Sequence, residues 1–138
     1  MTTTQVVETI AAPADAVWAA LSDFAGIQVG GPIESFKIEG DGVGAVRTIG
    51  LANGQVIERL DNHDAAAGTF TYSILNDDSP LPVAGYSATV NISDAGDGNT
   101  TIEWTGTYEP QGSEEAAAAV VTGIYTGAIA QARSALSA

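Results

Sequence analysis

Two opposite charges on one predicted β-hairpin are the residues best suited to chemistry in this sequence. Asn53-Gly54 predicts a two-residue type I′ turn, because this dipeptide readily adopts the positive φ angles that such a turn needs. If Ala52 pairs with Gln55, then Arg47 and Glu58 lie diagonally on one face of the hairpin. The other residues on that face are apolar, and they are Ile49, Leu51, Val56 and Leu60.

A charged pair on an apolar face has two interpretations. An isolated buried charge is too costly, so Arg47 and Glu58 could be a paired group that lines a cavity. In such a cavity, a carboxylate with a shifted pKa could take part in proton transfer. The alternative is an ordinary ion pair that stitches the hairpin together. The sequence leaves both interpretations open.

Three other motifs resemble functional sites but have simpler explanations. His63-Asp64 resembles a catalytic dyad, yet no serine or cysteine nucleophile is identifiable nearby, which favours exposed polar residues at a strand end. The glycine-rich residues 40–44 precede a strand and not a helix N-terminus, which argues against a phosphate-binding loop. Residues 94–99 lack the spacing and the terminal glutamate of a calcium loop, and they predict a hairpin turn.

The composition limits the partners of these residues. Seventeen Asp and Glu against four Lys and Arg give a net charge of -13, which disfavours nucleic acid and anionic membrane surfaces as partners. The absence of cysteine and the single histidine argue against a metal site, and no cofactor is predicted. Residues 1–5 lack signal-peptide features, and no apolar stretch is long enough to span a bilayer, so we expect a cytoplasmic protein.

Two helices and a series of strands must position the candidate residues. Ser113 to Leu136 is alanine-rich, contains no proline and has one apolar stripe, which predicts a long central helix. Pro13 to Phe24 repeats apolar residues at helical spacing, which predicts a shorter helix with Trp18 in the core. Between Ile33 and Pro110 the periodicity shifts towards two, as in an antiparallel meander. Residues 1–138 therefore predict one α+β domain whose sheet packs on the last helix.

Aromatic residues on the later strands alternate towards the apolar stripe of the last helix. This pattern predicts an internal cavity that is mostly apolar with a few polar groups. Gly127 borders the stripe, and we expect it to provide space or close approach there. Glu58 and Arg47 are the catalytic candidates. The predicted ligand-binding residues are Arg47, Ile49, Leu51, Val56, Glu58, Leu60, Phe70, Tyr72, Tyr86, Trp104, Tyr108, Val121 and Tyr125.

Short motifs in a specific order make the sequence similar to a known family. They are Val17-Trp18, Asp23-Phe24, residues 42–47, Asn53-Gly54, Glu58-Arg59-Leu60, Tyr72-Ser73-Ile74, Leu81-Pro82-Val83 with Tyr86, and Ile102-Glu103-Trp104. Over nearly the whole chain, the sequence resembles the polyketide cyclase/dehydrase and lipid-transport family of the START-like (SRPBCC) superfamily. The resemblance implies a helix-grip fold, in which a curved antiparallel sheet of about seven strands wraps a long C-terminal helix around an internal cavity.

One segment departs from the family pattern. Where many members carry a tryptophan and a histidine before the proline, this sequence has Gln28-Val29-Gly30-Gly31-Pro32. The resemblance then implies a more open cavity mouth, and it puts in doubt any chemistry that depends on those two residues.

Three functions fit this sequence. The first is a carrier or binding protein for a small hydrophobic or aromatic ligand, polyketide-like or lipid-like. The second is an enzyme that cyclises or dehydrates such a ligand by positioning it while Glu58, Arg47 and a tyrosine move protons. The third is an interaction domain with a filled core, which could form a homodimer. Turnover that depends on Glu58 would separate the second function from the first.

Overall fold

The computed structural model describes residues 2–24, 29–30, 33–76 and 78–136. Two helices and seven strands follow the order β1 (Thr2–Ile10), α1 (Ala14–Leu21), β2 (Ile33–Glu39), β3 (Val46–Leu51), β4 (Gly54–Asp64), β5 (Thr69–Ile74), β6 (Val83–Gly96), β7 (Asn99–Pro110) and α2 (Glu114–Leu136). The strands form one antiparallel sheet in the order β1-β7-β6-β5-β4-β3-β2. The curved sheet and the long C-terminal helix confirm the predicted α+β helix-grip fold.

The long helix α2 begins within one residue of its predicted start. Ser113 precedes it, and the Ser113 Oγ accepts a hydrogen bond of 3.2 Å from the Ala116 backbone N–H, as an N-cap residue does. Acidic residues in the first turn and Arg133 in the last turn complement the helix dipole. The helix packs against β1, β7 and α1. Its buried residues are Ala117, Val121, Tyr125, Ile129 and Ala132.

The short helix α1 ends earlier than its apolar spacing predicts. It stops at Leu21, and the Ser22 backbone N–H donates to the Trp18 carbonyl at 2.8 Å. Phe24 lies beyond the helix but is still buried, so its apolar character serves the tertiary core and not the helix. Trp18 is half-buried, with its ring 5.9 Å from that of Phe70, so the prediction of a core position is only partly correct.

The turn between β3 and β4 differs from the prediction. Leu51 pairs with Gly54, so the turn residues are Ala52 and Asn53, and the φ angle of Asn53 is not positive. The prediction of a type I′ turn with Asn53-Gly54 at its centre is therefore wrong. Gly54 instead begins β4 with a φ of 149°, where an added Cβ would also lie 3.3 Å from the ring of Pro80.

The hairpin between β6 and β7 has the geometry that was expected at Asn53-Gly54. Gly96 pairs with Asn99, and the two residues between them, Asp97 and Gly98, have φ angles of 55° and 78°. Positive φ at both central residues is what a type I′ turn requires. The prediction of a hairpin turn within residues 94–99 is confirmed.

Two glycines of α2 lie on an exposed side of the helix. A Cβ added at Gly123 or at Gly127 would meet no heavy atom within 4 Å, apart from the helix's own backbone, among the residues described. The expectation that Gly127 provides close approach inside the fold is therefore wrong. Val120 and Ile124 on the same side are 39% and 41% exposed.

Candidate functional site

Arg47 and Glu58 form an ion pair on neighbouring strands. They lie directly opposite each other on β3 and β4, and the Arg47 Nε donates to the Glu58 Oε1 at 2.7 Å. Only 13% and 9% of the two side chains are exposed. The pair thus bridges the hairpin and is also buried, which combines features of both interpretations of the sequence.

The sequence predicted that Arg47 and Glu58 lie diagonally, but they lie directly opposite each other, because the observed strand register differs from the predicted one by two residues. The observed register sets Ile49 opposite Val56, whereas the prediction set Ile49 opposite Glu58. Side chains alternate between the two faces of a strand with a period of two, so a shift of two residues keeps every side chain on its predicted face. The membership of the inward face was therefore correct although the pairing was not.

The Arg47 guanidinium has further partners in Phe24, which lies just beyond α1, and in Tyr72 on β5. Its Nη1 donates to the Phe24 carbonyl at 3.2 Å. The guanidinium carbon lies 4.0 Å from the ring centroid of Phe24 and 5.5 Å from that of Tyr72. A carboxylate, a carbonyl and two aromatic faces thus compensate the loss of water around the buried cation.

Four buried aromatic side chains, including Tyr72, are joined by hydrogen bonds into a chain that we call the aromatic network. Its members are Tyr72, Tyr86, Trp104 and Tyr125. The Trp104 Nε1 donates to the Tyr72 hydroxyl at 3.2 Å, and the Tyr72 and Tyr86 hydroxyls are 3.3 Å apart. The Tyr86 hydroxyl is hydrogen-bonded to that of Tyr125. The rings of Trp104 and Tyr125 stack at a centroid distance of 4.9 Å. The network connects the inward face of the sheet with α2.

The phenols of the network are held in their neutral form. Burial, and to a smaller extent the negative charge of Glu58, raise the pKa of Tyr72 to about 12, against smaller opposing effects of Tyr86, Arg47 and Trp104. Burial likewise raises the pKa of Tyr86 and of Tyr125 far above the ordinary value, and the neighbouring phenol of Tyr72 adds to both shifts. At neutral pH these hydroxyls are therefore hydrogen-bond donors as well as acceptors.

The other predicted ligand-binding residues differ in their surroundings. Ile49 and Leu51 are half-buried. Tyr108 is fully buried, but its hydroxyl contacts the Thr4 Oγ1 at 2.7 Å and not the aromatic network. The structure thus brings Arg47 and Glu58 close to Tyr72, and it directs the Tyr108 hydroxyl towards β1. Four further predicted ligand-binding residues are buried, namely Val56, Leu60, Phe70 and Val121.

Two residues of the site escaped the sequence analysis. Phe24, which supplies a carbonyl and a ring to Arg47, entered only as the end of a helix and as part of a family motif. Gly106 on β7 had no predicted role, but a Cβ there would lie 2.0 Å from the Tyr125 hydroxyl oxygen. A glycine inside a strand is a signal for close approach of another group. The sequence could not indicate which group approaches.

An open pocket on the side of α1 is lined in part by Phe24, which contacts Arg47 of the ion pair. It has a volume of about 380 Å³ and is lined by Ala19, Phe24, Leu60, the two aspartates 23 and 41, and His63, among others. Phe24 is the ring under the Arg47 guanidinium, and Leu60 pairs directly with Tyr72. A second pocket of about 530 Å³ lies beside Trp18 and residues 65–68. Of these two pockets, the first contains neighbours of both Arg47 and Tyr72.

The remaining polar motif is exposed. His63 and Asp64 lie at the end of β4, and the His63 ring centroid is 5.1 Å from that of Trp18. The Asp64 Oδ1 accepts a hydrogen bond from the Ala67 backbone N–H at 3.1 Å. Residues 2–24, 29–30, 33–76 and 78–136 contain no cluster of three or more side chains suited to hold a metal ion. Within the same residues, no helix has the length and apolarity to cross a membrane.

The fold and the polar pair set among buried aromatic side chains define a helix-grip protein of the START-like (SRPBCC) superfamily. The family described as polyketide cyclase/dehydrase and lipid transport matches residues 1–136. This chain belongs to that family. No protein with a curated description matches the sequence.

Several solved structures share the fold. An uncharacterised protein from Bacillus thuringiensis is 28% identical, with a TM-score of 0.84 over 99% of this chain and 100% of that chain. The protein XoxI from Bacillus cereus is 28% identical, with a TM-score of 0.83 over 99% and 96% of the two chains. Norcoclaurine synthase from Thalictrum flavum, in complex with dopamine and hydroxybenzaldehyde, is 20% identical, with a TM-score of 0.78 over 98% and 85%. The last similarity shows the fold alone.

Proposed function

We propose that this protein is a carrier or binding protein for a small hydrophobic or aromatic molecule, polyketide-like or lipid-like, which it holds beside Arg47 and Glu58. The observation that carries the proposal is the ion pair, 13% and 9% exposed, on an otherwise apolar inward face. Well-packed apolar residues would stabilise such a position as well or better. A polar contact for a ligand therefore explains the pair better than stability does.

The surroundings of Arg47 support a ligand at this position. Arginine has five N–H donors, and among the described residues the guanidinium uses its Nε and Nη1 for hydrogen bonds. The remaining donors can bind a carbonyl, hydroxyl or carboxylate oxygen of a ligand. The adjacent pocket of about 380 Å³ lies within the range of known small-molecule sites, roughly 300–1,000 Å³.

Filling the pocket tests the binding function. We expect 2-acetylnaphthalene to bind the wild-type protein with a micromolar dissociation constant, about 8 kcal/mol of binding free energy, as measured by titration calorimetry. Ala19 lies on the exposed side of α1 and lines the pocket, so Ala19→Leu should weaken binding about tenfold or more by occupying the space.

Ala20 provides a matched control for this experiment. It is the next residue of α1, it is also exposed, and it is not among the pocket-lining residues, so Ala20→Leu should bind like the wild type. Equal binding by all three proteins would contradict the position of the ligand. Absence of binding to the wild type would contradict the binding function itself.

One observation favours the second function, that of a cyclase or dehydrase. The Arg47 guanidinium bonds to Glu58 at 2.7 Å and lies 5.5 Å from the ring centroid of Tyr72, so a carboxylate, a guanidinium and a phenol occur together. These are the groups that acid–base catalysis of cyclisation or dehydration would use. We expect an enzyme to lose turnover of an aromatic poly-ketone probe in Glu58→Gln while it retains binding. A binding protein would show no turnover in either form.

A further inference from the structure

The aromatic network has one more donor hydrogen than its own bonds use. Its donors are the Trp104 indole N–H and the hydroxyls of Tyr72, Tyr86 and Tyr125, which makes four. Among the described residues, three hydrogen bonds join these four groups. The Trp104 N–H always donates to Tyr72, and the two bonds between hydroxyls use two of the three hydroxyl hydrogens, so one phenol keeps an unused hydrogen.

The direction of the bonds decides which hydroxyl keeps it. If Tyr72 donates to Tyr86 and Tyr86 to Tyr125, the unused hydrogen lies on Tyr125. The Tyr125 hydroxyl is packed against the backbone of Gly106, only 2.0 Å from the position of an added Cβ, and Tyr125 is fully buried. An acceptor has no room to approach there. If Tyr72 and Tyr125 both donate to Tyr86, the unused hydrogen lies on Tyr86, whose hydroxyl is enclosed between the other two. If Tyr125 donates to Tyr86 and Tyr86 to Tyr72, the unused hydrogen lies on Tyr72.

Tyr72 is the end of the network that lies nearest the proposed ligand site. Its ring is 5.5 Å from the Arg47 guanidinium carbon and 6.5 Å from the ring of Phe24. Leu60 is its direct partner on the neighbouring strand. Phe24 and Leu60 both line the open pocket, so Tyr72 is a direct neighbour of two residues of the pocket wall.

We propose that the Tyr72 hydroxyl donates a hydrogen bond to the ligand, and that the ligand is an apolar or aromatic molecule with an acceptor oxygen, such as a ketone, at this position. The inference rests on the proposed binding function. Trp104 and Tyr86 both donate to the Tyr72 oxygen, which polarises its O–H group and strengthens it as a donor. The phenol remains protonated at neutral pH because burial raises its pKa to about 12.

A pair of probes of nearly equal shape tests this donor. 2-Acetylnaphthalene carries a carbonyl where 2-ethylnaphthalene carries a methylene group, so the ratio of their dissociation constants isolates the acceptor. In Tyr72→Phe, we expect the preference for the ketone to fall about five- to tenfold, the value of one neutral hydrogen bond. Affinity for the hydrocarbon should stay within about twofold, since the ring remains.

Thr100→Val serves as the control for loss of a buried hydroxyl. The Thr100 Oγ1 donates to the Ala12 carbonyl at 2.7 Å and is fully buried, and it takes no part in the aromatic network. This variant should keep the wild-type ketone preference. The carbonyl stretching band of bound 2-acetylnaphthalene gives a second readout, because a hydrogen bond lowers its frequency in the wild-type protein.

The outcomes separate the two proposals. If the preference for the ketone falls in Tyr72→Phe and not in Thr100→Val, the result supports Tyr72 as the donor. If both probes bind and the preference is the same in wild type and Tyr72→Phe, the donor is refuted and the binding function stands. If neither probe binds the wild type, the binding function fails and the donor with it. Should Tyr72→Phe not fold, a carbonyl frequency equal to that in a hydrocarbon solvent refutes the donor in the wild-type protein alone.

Discussion

At the scale of single residues, the environment of Arg47 explains how a charge can lie on an apolar face. Glu58 supplies the counter-charge, Phe24 supplies a carbonyl, and two rings cover the guanidinium. Removing one partner of such a pair costs more than replacing both, because a single buried charge is then left without compensation. The two partners should therefore respond differently to substitution.

Arg47→Leu should destabilise the protein by about 3–5 kcal/mol, because it leaves the Glu58 carboxylate buried without its cation. Glu58→Gln should cost less, since the amide oxygen still accepts a hydrogen bond from Arg47 in nearly the same shape. Denaturant unfolding of the three proteins measures both values. Costs below about 1 kcal/mol in both variants would mean that the pair behaves like a surface ion pair.

Because of the aromatic network, the free energy of unfolding should fall as the pH rises above about 10. The pKa of Tyr72 is raised from 10.0 in the unfolded chain to about 12 in the folded protein. Below pH 10 both states keep the proton, and stability is unaffected. Between these two pKa values the unfolded state releases a proton that the folded state keeps, so stability falls as pH rises, by about 1.4 kcal/mol per pH unit for this group.

Unfolding by denaturant at several pH values checks this slope. Tyr72→Phe should reduce the slope by the contribution of one group, while Thr100→Val should leave it unchanged. The ultraviolet absorbance of phenolate gives an independent measure, because the network tyrosines should ionise only when the protein unfolds. Ionisation of all four tyrosines in the folded protein near pH 10 would contradict the burial of the network.

At the scale of secondary-structure elements, the glycines show how similar residues serve different purposes. Gly106 in β7 makes room for the hydroxyl of Tyr125, which is a requirement of packing. Gly123 and Gly127 in α2 meet open space among the described residues, so nothing inside the fold requires them. A glycine in a helix interior lowers stability by about 1 kcal/mol relative to alanine. Alanine substitution should therefore raise the free energy of unfolding at Gly123 and Gly127 and lower it at Gly106.

Gly123→Ala and Gly127→Ala should each raise the free energy of unfolding by about 0.8–1 kcal/mol through helix propensity. The measurement is the shift of the denaturant midpoint at constant slope. A loss of stability in either variant would indicate that the glycine has a close neighbour that the isolated chain does not show, as a second copy of the chain would be.

Gly106→Ala should lower the free energy of unfolding by about 1–3 kcal/mol, because the new methyl group overlaps the Tyr125 hydroxyl. The Tyr125→Phe background removes that hydroxyl, so the same substitution should cost less there. This double-mutant cycle isolates the contact between the two positions. Equal costs in both backgrounds would show that the clash involves another group.

At the scale of the whole molecule, α2 covers the apolar side of a sheet that has no other long helix among the described residues. The helix contributes Val121, Tyr125 and Ile129 to a core that is continuous with the buried residues of the sheet. Removing it would expose this surface to water, and burial of apolar surface is the main force that stabilises a fold. The chain should not keep a cooperative fold without α2.

Deletion of residues 115–138 should therefore abolish the cooperative thermal transition. Circular dichroism during heating is the measurement, and the full-length chain is the reference. A truncated chain that still melts cooperatively would mean that the sheet is stable without its cover. The homodimer and the cytoplasmic location stay predictions.

The properties that the sequence determined are those that depend on local periodicity. The apolar spacing of residues 113–136 predicted α2 to within one residue, and the alternation in the hairpin placed Arg47 and Glu58 together on the inward face. Face membership is robust because side-chain direction follows a period of two, whatever the partner strand. The family resemblance supplied the order of the layers.

Tertiary structure decided what depends on contacts between distant segments. The register that sets Arg47 opposite Glu58, the carbonyl and ring of Phe24 beside the guanidinium, and the space that Gly106 leaves for the Tyr125 hydroxyl all join residues far apart in the chain or across a turn. A sequence pattern states which face a residue occupies, but not which atom it meets. Hydrogen bonds and close contacts change within fractions of an ångström, so only the packed fold determines them.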